Sequence, residues 1–318
     1  MAGTGTKHIP EAWRYVFGPV FSRRLGLSLG VDMVPRKTCT YNCVYCEVGP
    51  TTHLIPGPRP FWEPEEIVEE IEEALKVQRP DVLTFCGSGE PLLNSNIKEV
   101  LREVKRRTSI RTALLTNGIL FYESQSREVF PYLDLIIPTM STGSQETFQR
   151  LHRPHPGVDY WMLREAFRAT KRDFRGEIWV EVMLVSGIND TAEEWKRIGE
   201  FLSQIGPHRI QVGTVERPPA FKEALPVSEL TVKEAVLALG EKAEPISGNR
   251  NMSPIAHGGL KGIVETLKRR PLLEEELRYL LETEGLKWDL ALETLKRDHG
   301  LIRIGQEDRE FYAFKEEG

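Results

Sequence analysis

Residues 39–46 read CTYNCVYC and place Cys39, Cys43 and Cys46 in a C-x3-C-x2-C spacing. Thiolate is a soft ligand, so three of them this close together suit zinc or an iron–sulfur cluster. Structural zinc takes four ligands, usually as two separated pairs, and the nearby fourth candidate is His53. Three thiolates on a cluster would instead leave one iron open. Spacing alone does not choose between the two.

Either chemistry needs a scaffold. The chain has 318 residues, 42 basic and 47 acidic, with a net charge of −5. That length suits one large α/β domain, with or without a small appendage. The charge balance argues against a general polyanion binder. All four cysteines lie between Cys39 and Cys86, unlike the disulfide framework of a secreted protein. The stretch MAGTGTKHIPEAWRYVFG has no apolar signal region, and no apolar run reaches the roughly 18 residues of a membrane span. A soluble, cytoplasmic protein without membrane association is expected.

From about residue 27, short apolar runs alternate with amphipathic ones, the pattern of successive βα units around a parallel sheet. Strands are predicted at 27–34, 81–87, 112–118, 133–140, 177–185 and 209–215. Several are apolar throughout, as strands covered on both faces should be. Helices are predicted over 64–78, 96–107, 161–173 and 191–205; the first opens on Pro64 and aligns Ile67, Ile71 and Leu75, and Asp190 or Thr191 caps the last. Trp161 and Trp179 read as core. Six such units fit a doubly wound sheet or an open, partial barrel. Residues 245–261, PISGNRNMSPIAHGGLK, read as a linker or loop between a main domain over 1–244 and a small one over 262–318. The small domain reads as three helices and a hairpin, a winged-helix-like pattern. Its ten basic and fourteen acidic side chains make a poor phosphate-binding surface.

The cysteine triad falls directly after the first strand, at the sheet edge where α/β proteins place their chemistry. Tyr45 precedes the third cysteine. GSGEP (87–91) ends the second strand, with Gly87 and Gly89 where backbone must approach a ligand and Glu90 able to hold an amine. TNG (116–118) and PTMST (138–142) end the third and fourth strands.

This combination resembles the radical S-adenosylmethionine (SAM) superfamily. The resemblance implies a partial (β/α)6 TIM-like barrel holding a [4Fe–4S] cluster on Cys39, Cys43 and Cys46, whose open iron binds the amino and carboxylate groups of SAM. It implies that Tyr45 lies beside the adenine and that Gly87, Ser88, Gly89 and Glu90 face the methionine amine. Thr116, Asn117, Thr139 and Ser141 are candidates for the SAM carboxylate and ribose. The implied reaction is one-electron cleavage of SAM to methionine and a 5′-deoxyadenosyl radical that abstracts hydrogen from a substrate. VFGPVFSRRLGLSLGVD (16–32), LHRPH (151–155), EVMLVSGIND (181–190) and QVGTVERPPA (211–220) look like the wyosine-base-synthase-like group. That group carries further cysteines ahead of the triad, whereas residues 1–38 have none. No flavodoxin-like or cysteine-rich extension is expected, so a separate flavodoxin or ferredoxin would supply the electron.

Further residues lie at the same edge. Cys86 could give hydrogen to a substrate radical or bind a substrate, although a small buried residue filling the position is the first reading. Glu181 sits inside the fifth strand, where a carboxylate needs a partner or a role. Arg23 and Arg24 could clamp an anion or merely pair with glutamates. His152, Arg153 and His155 fall in an expected loop after the fourth strand, and Glu216 and Arg217 follow the sixth, as candidate substrate contacts. RNA modification is the first functional reading by resemblance. Modification of a polypeptide, including glycyl-radical activation, is the second, and a non-enzymatic iron–sulfur sensor with a winged helix is the third.

Overall fold

The computed structural model describes residues 13–246, 259–306 and 308–315. In chain order the first elements are β1 (Val16–Ser22), β2 (Gly26–Val31), the short β3 (Thr38–Cys39) and β4 (His53–Leu54), α1 (Pro64–Val77), β5 (Val82–Phe85), α2 (Ile97–Arg107), β6 (Arg111–Thr116) and β7 (Leu135–Pro138). They continue with α3 (Gln145–His152), α4 (Tyr160–Asp173), β8 (Glu177–Leu184), α5 (Ala192–Ile205), β9 (Arg209–Thr214), α6 (Glu229–Leu239) and β10 (Ala243–Pro245). After the linker, of which residues 247–258 lie outside the described residues, come α7 (Gly259–Arg269), β11 (Leu272–Leu273), α8 (Glu274–Thr283), α9 (Trp288–His299), β12 (Leu301–Gln306) and β13 (Arg309–Phe314).

The main sheet has eight strands in the order β1-β2-β5-β6-β7-β8-β9-β10, parallel from β2 to β10. The six predicted strands are β2 and β5 to β9. Two edge strands are added. β10 is three residues long, and β1 pairs antiparallel with β2 through a register shift between Phe17 and Val20. A proline at position 19 interrupts the apolar pattern of β1 and is tolerated at a sheet edge. β5 and β7 are buried at every position: Leu83, Phe85 and Ile136 belong to the core shared with the helices, and Val82, Leu135 and Ile137 pack against Ala113 and Trp179 of neighbouring strands. In α1, Pro64 starts the helix, Glu65 and Glu66 occupy the first turn, and Ile67, Val68, Ile71 and Ala74 form the buried stripe. Asp159 caps α4 by accepting from Met162 N at 2.8 Å. Thr191, rather than Asp190, caps α5.

Two expectations are corrected by helix phase. Trp179 is buried in β8, but Trp161 is 61% exposed. The α4 stripe of Leu163, Ala166, Phe167 and Thr170 leaves Trp161 on the outer face, where the Arg164 guanidinium sits 5.3 Å from its ring. His152 lies not in a loop but at the last turn of α3, buried on the face that carries Phe148 and Leu151.

The C-terminal unit packs α7, α8 and α9 around a three-stranded antiparallel sheet, β11-β13-β12. Its core includes Ile263, Leu267, Leu277, Leu281, Leu295 and Tyr312, separate from the main core. The expected helices and hairpin are present, and Leu272 and Leu273 add a strand against Phe311 and Tyr312.

Candidate functional site

The cysteine loop is held from three sides. Thr38 and Cys39 pair with His53 and Leu54, Lys37 N donates to Ser88 O at 2.7 Å, and Glu90 N donates to Thr38 O at 3.0 Å. Each cysteine residue is partly exposed, yet its thiol is turned into the protein. Burial therefore pushes Cys39 up to about 12, Cys46 up to about 11 and Cys43 well above the usual thiol range. Binding of a metal by these thiols would have to displace their protons. Among the described residues no three His, Cys, Asp or Glu side chains converge closely enough for a single ion. His53 is exposed, with Nδ1 3.1 Å from Thr52 Oγ1. The donor set is thus soft, buried and all sulfur, which fits an iron–sulfur cluster.

GSGEP lies flush against this loop. A side chain at Gly89 would put its Cβ 1.8 Å from the carbonyl oxygen of Thr38. Gly87 has φ +135°, a conformation that favours glycine, and a Cβ there would meet the Asp32 carboxylate at 2.8 Å. Glu90 is 2% exposed. Its Oε1 accepts from Leu92 N at 3.1 Å and Thr116 Oγ1 at 2.7 Å, and its Oε2 accepts from Asn117 N at 2.8 Å. Burial raises its pKa to about 7 against the pull of these three donors. Asn117 reaches back, donating from Nδ2 to Thr40 Oγ1 at 2.6 Å and to Cys39 Sγ at 3.7 Å. Glycine segment, TNG turn and cysteine loop therefore form one hydrogen-bonded unit.

The other candidates divide into two groups. Thr139 Oγ1 donates to Glu181 Oε2 at 3.3 Å, and Arg24 Nη1 donates to Glu181 Oε1 at 2.7 Å. Glu181 thus has the partner a strand carboxylate requires. Tyr45 packs edge-on to His152, with ring centroids 6.0 Å apart. Cys86, held as a thiol by burial at about 12, lies with Sγ 3.6 Å from Thr84 O. Ser141 is committed to the scaffold, since its Oγ accepts from Met183 N at 2.8 Å. Outside this group, Arg23 pairs with Glu216 at 2.5 Å and Arg153 with Glu223 at 3.1 Å. Arg217 binds Glu276 at 2.9 Å and Glu47 at 3.3 Å. His155 is half-buried and accepts from Gly157 N at Nδ1, 3.1 Å away. The Arg23 and Arg24 pairs join the β1–β2 turn to β8 and to the segment after β9, so the sheet curls far enough for its two ends to meet.

Sequence reasoning missed Asp32 and assigned His152 differently. Asp32 accepts from Ser88 N at 3.1 Å and from Ser88 Oγ, and Arg269 Nε donates to it at 3.0 Å. A carboxylate in the apolar run SLGVDMV was a usable signal. His152 puts Nδ1 3.2 Å from Cys43 Sγ, while its buried Nε2 has no partner.

Soft thiols at the C-terminal edge of a parallel sheet, beside a buried carboxylate braced by two strand ends, define an iron–sulfur enzyme of the α/β class. The chain belongs to the radical SAM superfamily, whose model matches residues 33–202. Its cofactors are a [4Fe–4S] cluster and SAM. It is 30% identical over 312 residues to UPF0026 protein MJ1312 of Methanocaldococcus jannaschii, covering 93% of this chain and 94% of that protein. It is 36% identical over 221 residues to a Brachyspira hyodysenteriae protein described as GTPase Obg, covering 69% of this chain; the match spans 32% of that relative's length. Among solved structures, Streptococcus suis SuiB bound to precursor peptide SuiA shares the fold at a TM-score of 0.55 and 12% identity, over 70% of this chain and 49% of that one. Among the described residues, no helix is long and apolar enough to cross a membrane.

Proposed function

We propose that this enzyme uses SAM-derived radical chemistry to modify a polypeptide segment, with RNA as the second reading. The observation that carries the site assignment is the convergence of Glu90, Thr116 and Asn117 beside the three-cysteine loop. When bound, the cluster supplies the electron that splits SAM into methionine and a 5′-deoxyadenosyl radical able to take hydrogen from a substrate. Cys39, Cys43 and Cys46 would hold the cluster. Glu90 would receive the SAM ammonium, Gly87, Ser88 and Gly89 would let the methionine approach, Tyr45 would flank the adenine, and Asn117 and Thr139 would reach the carboxylate and ribose. Ser141 holds β8 in place beneath them. Cys86, kept as a thiol, is in the form that can give a hydrogen atom, and Glu181 with Arg24 stands at the substrate side.

The substrate reading rests on charge. Arg23, Arg24, Arg153 and Arg217 are each paired with a carboxylate, whereas RNA backbone binding relies on cations able to neutralise phosphates. The acidic C-terminal unit, read here as winged-helix-like and as a domain over 262–318 beside the 1–244 barrel, argues the same way. The wyosine-like motifs support RNA. The proposed electron donor is a cytoplasmic flavodoxin or ferredoxin. The test is 5′-deoxyadenosine formation by the reconstituted, reduced protein with SAM and cell extract, beside a Cys46→Ala control. A yield that survives ribonuclease but not protease supports the polypeptide; the reverse supports RNA. No 5′-deoxyadenosine from an intact cluster would overturn the assignment.

A further inference from the structure

We propose that Arg269, carried by the C-terminal unit, is a positioning residue for SAM binding that acts through Asp32 on the Gly87–Glu90 segment. The inference rests on the reading that this segment faces the SAM amine. Arg269 ends α7 and lies 237 positions from Asp32, yet both are buried, at 7% and 2% exposure. Both carboxylate oxygens of Asp32 hold Ser88, and one of them is shared with Arg269. Oδ1 accepts from Ser88 N, and Oδ2 accepts from Ser88 Oγ and Arg269 Nε. Arg269 is itself fixed on its other edges, donating from Nη2 to Arg14 O at 2.9 Å and from Nη1 to Glu265 at 2.9 Å. Gly87 rests directly on the same carboxylate, so any shift of Asp32 moves the turn above it.

A stretch of the C-terminal unit only a few residues on reaches the other cofactor loop. Arg217 donates to Pro271 O at 2.5 Å and to both oxygens of Glu276, and its Nε lies 3.3 Å from Glu47, the residue after Cys46. Residues 269–276 therefore brace the cysteine loop and the glycine segment together. Removing Arg269 would leave the Asp32 carboxylate buried without its cation, and such a group protonates or draws in water. Either outcome loosens the paired bonds that hold Ser88.

The test uses the anaerobically reconstituted full chain as Arg269→Met, Arg269→Lys, Ser88→Ala and the Arg269→Met/Ser88→Ala double variant. Arg297→Met, in an exposed pair with Asp298, is the control for the unit, and Glu90→Gln is the control for the SAM reading. Two quantities are read: the melting midpoint of the cluster-free chain, and SAM affinity from the change in the reduced-cluster EPR spectrum. Arg269→Met and Ser88→Ala should each weaken SAM on the order of tenfold. The double variant should lose less than the product of the two, as coupled residues do. Arg269→Lys should lie between, keeping the charge but not the three-edged contact, and Arg297→Met should bind as wild type. Unchanged affinity in folded Arg269→Met, with Glu90→Gln weakened, overturns the inference and leaves the SAM reading standing. Glu90→Gln binding as wild type overturns both. Where Arg269→Met does not fold, wild-type affinity in Ser88→Ala overturns the inference by itself.

Discussion

The imidazole Nδ1 of His152 lies 3.2 Å from Sγ of Cys43, so α3 delivers a ring nitrogen onto one of the three cysteines proposed to hold the cluster. Burial holds this imidazole neutral, pushing it down to about 3. A neutral imidazole with its proton on Nδ1 donates to a thiolate. That bond favours the reduced, more negative cluster, because outer hydrogen bonds to ligand sulfur tune potential. His152→Phe keeps a ring beside Tyr41 and Phe148 and deletes the donor. The cluster midpoint should become more negative by about 1 kcal/mol, or roughly 40 mV for one electron, in a spectroelectrochemical titration. An unchanged midpoint would show that the ring only fills space.

Glu90 gives a pH dependence whose sign is fixed by its environment. Burial raises its carboxyl to about 7, and the ionised form is the one that holds an ammonium. SAM affinity should fall about tenfold per pH unit below 7 and level off above it. Glu90→Gln should bind weakly at every pH, with that slope gone. Folding stability runs the other way. A carboxyl whose folded pKa lies above its unfolded value keeps its proton more readily in the folded chain, so stability is lost as pH rises from about 4.5 to about 7. In the cluster-free chain the wild type should therefore lose about 3 kcal/mol between pH 4.5 and pH 8 in chemical denaturation, a pH-dependent loss that Glu90→Gln should not show.

Glu276 carries the opposite shift. Arg217 overcomes the cost of burial and holds Glu276 down at about 2. A depressed folded pKa contributes stability that is present above the unfolded value near 4.5 and lost as pH falls toward 2. The contribution is about 3 kcal/mol. Glu276→Gln should lower the melting midpoint at pH 7, and its deficit should shrink steadily below pH 4.5. A deficit independent of pH would mean that packing against Arg217, not charge, is what the variant removes.

Local chemistry was legible in the sequence where it was local. The strands β5 to β9 announce themselves by short runs rich in apolar residues, and the cysteine triad, GSGEP and TNG each lie within a few consecutive residues. What escaped is what depends on distant partners. Arg269 and Glu276 sit among ordinary helical charges, and nothing near them in sequence marks Asp32 or Arg217 as their counterparts. α3 was missed because only eight residues form it. Its capping serine, Ser144, and the i, i+3, i+4 spacing of Phe148, Leu151 and His152 were there to be read. That spacing puts His152 on the apolar face, which is why a residue assigned to a substrate loop lies against Cys43 instead.

Gly89 offers the sharpest test of how closely the two cofactor loops must approach. Its amide plane lies against Thr38, with Thr38 and Gly89 bridged as in a parallel sheet. A methyl group there would fall 1.8 Å from a backbone oxygen that cannot rotate away, so Gly89→Ala must push the loops apart. Overpacking of this kind costs about 1–3 kcal/mol or more, and here the displaced atoms adjoin Cys39 and Glu90. Gly89→Ala should reconstitute with less iron and lose measurable SAM binding, while Gly57→Ala, where a methyl meets nothing within 4 Å, should match wild type on both counts. Full iron loading and SAM binding by Gly89→Ala would mean that the cysteine loop can move away from GSGEP without loss, and that the contact is not needed to build the site.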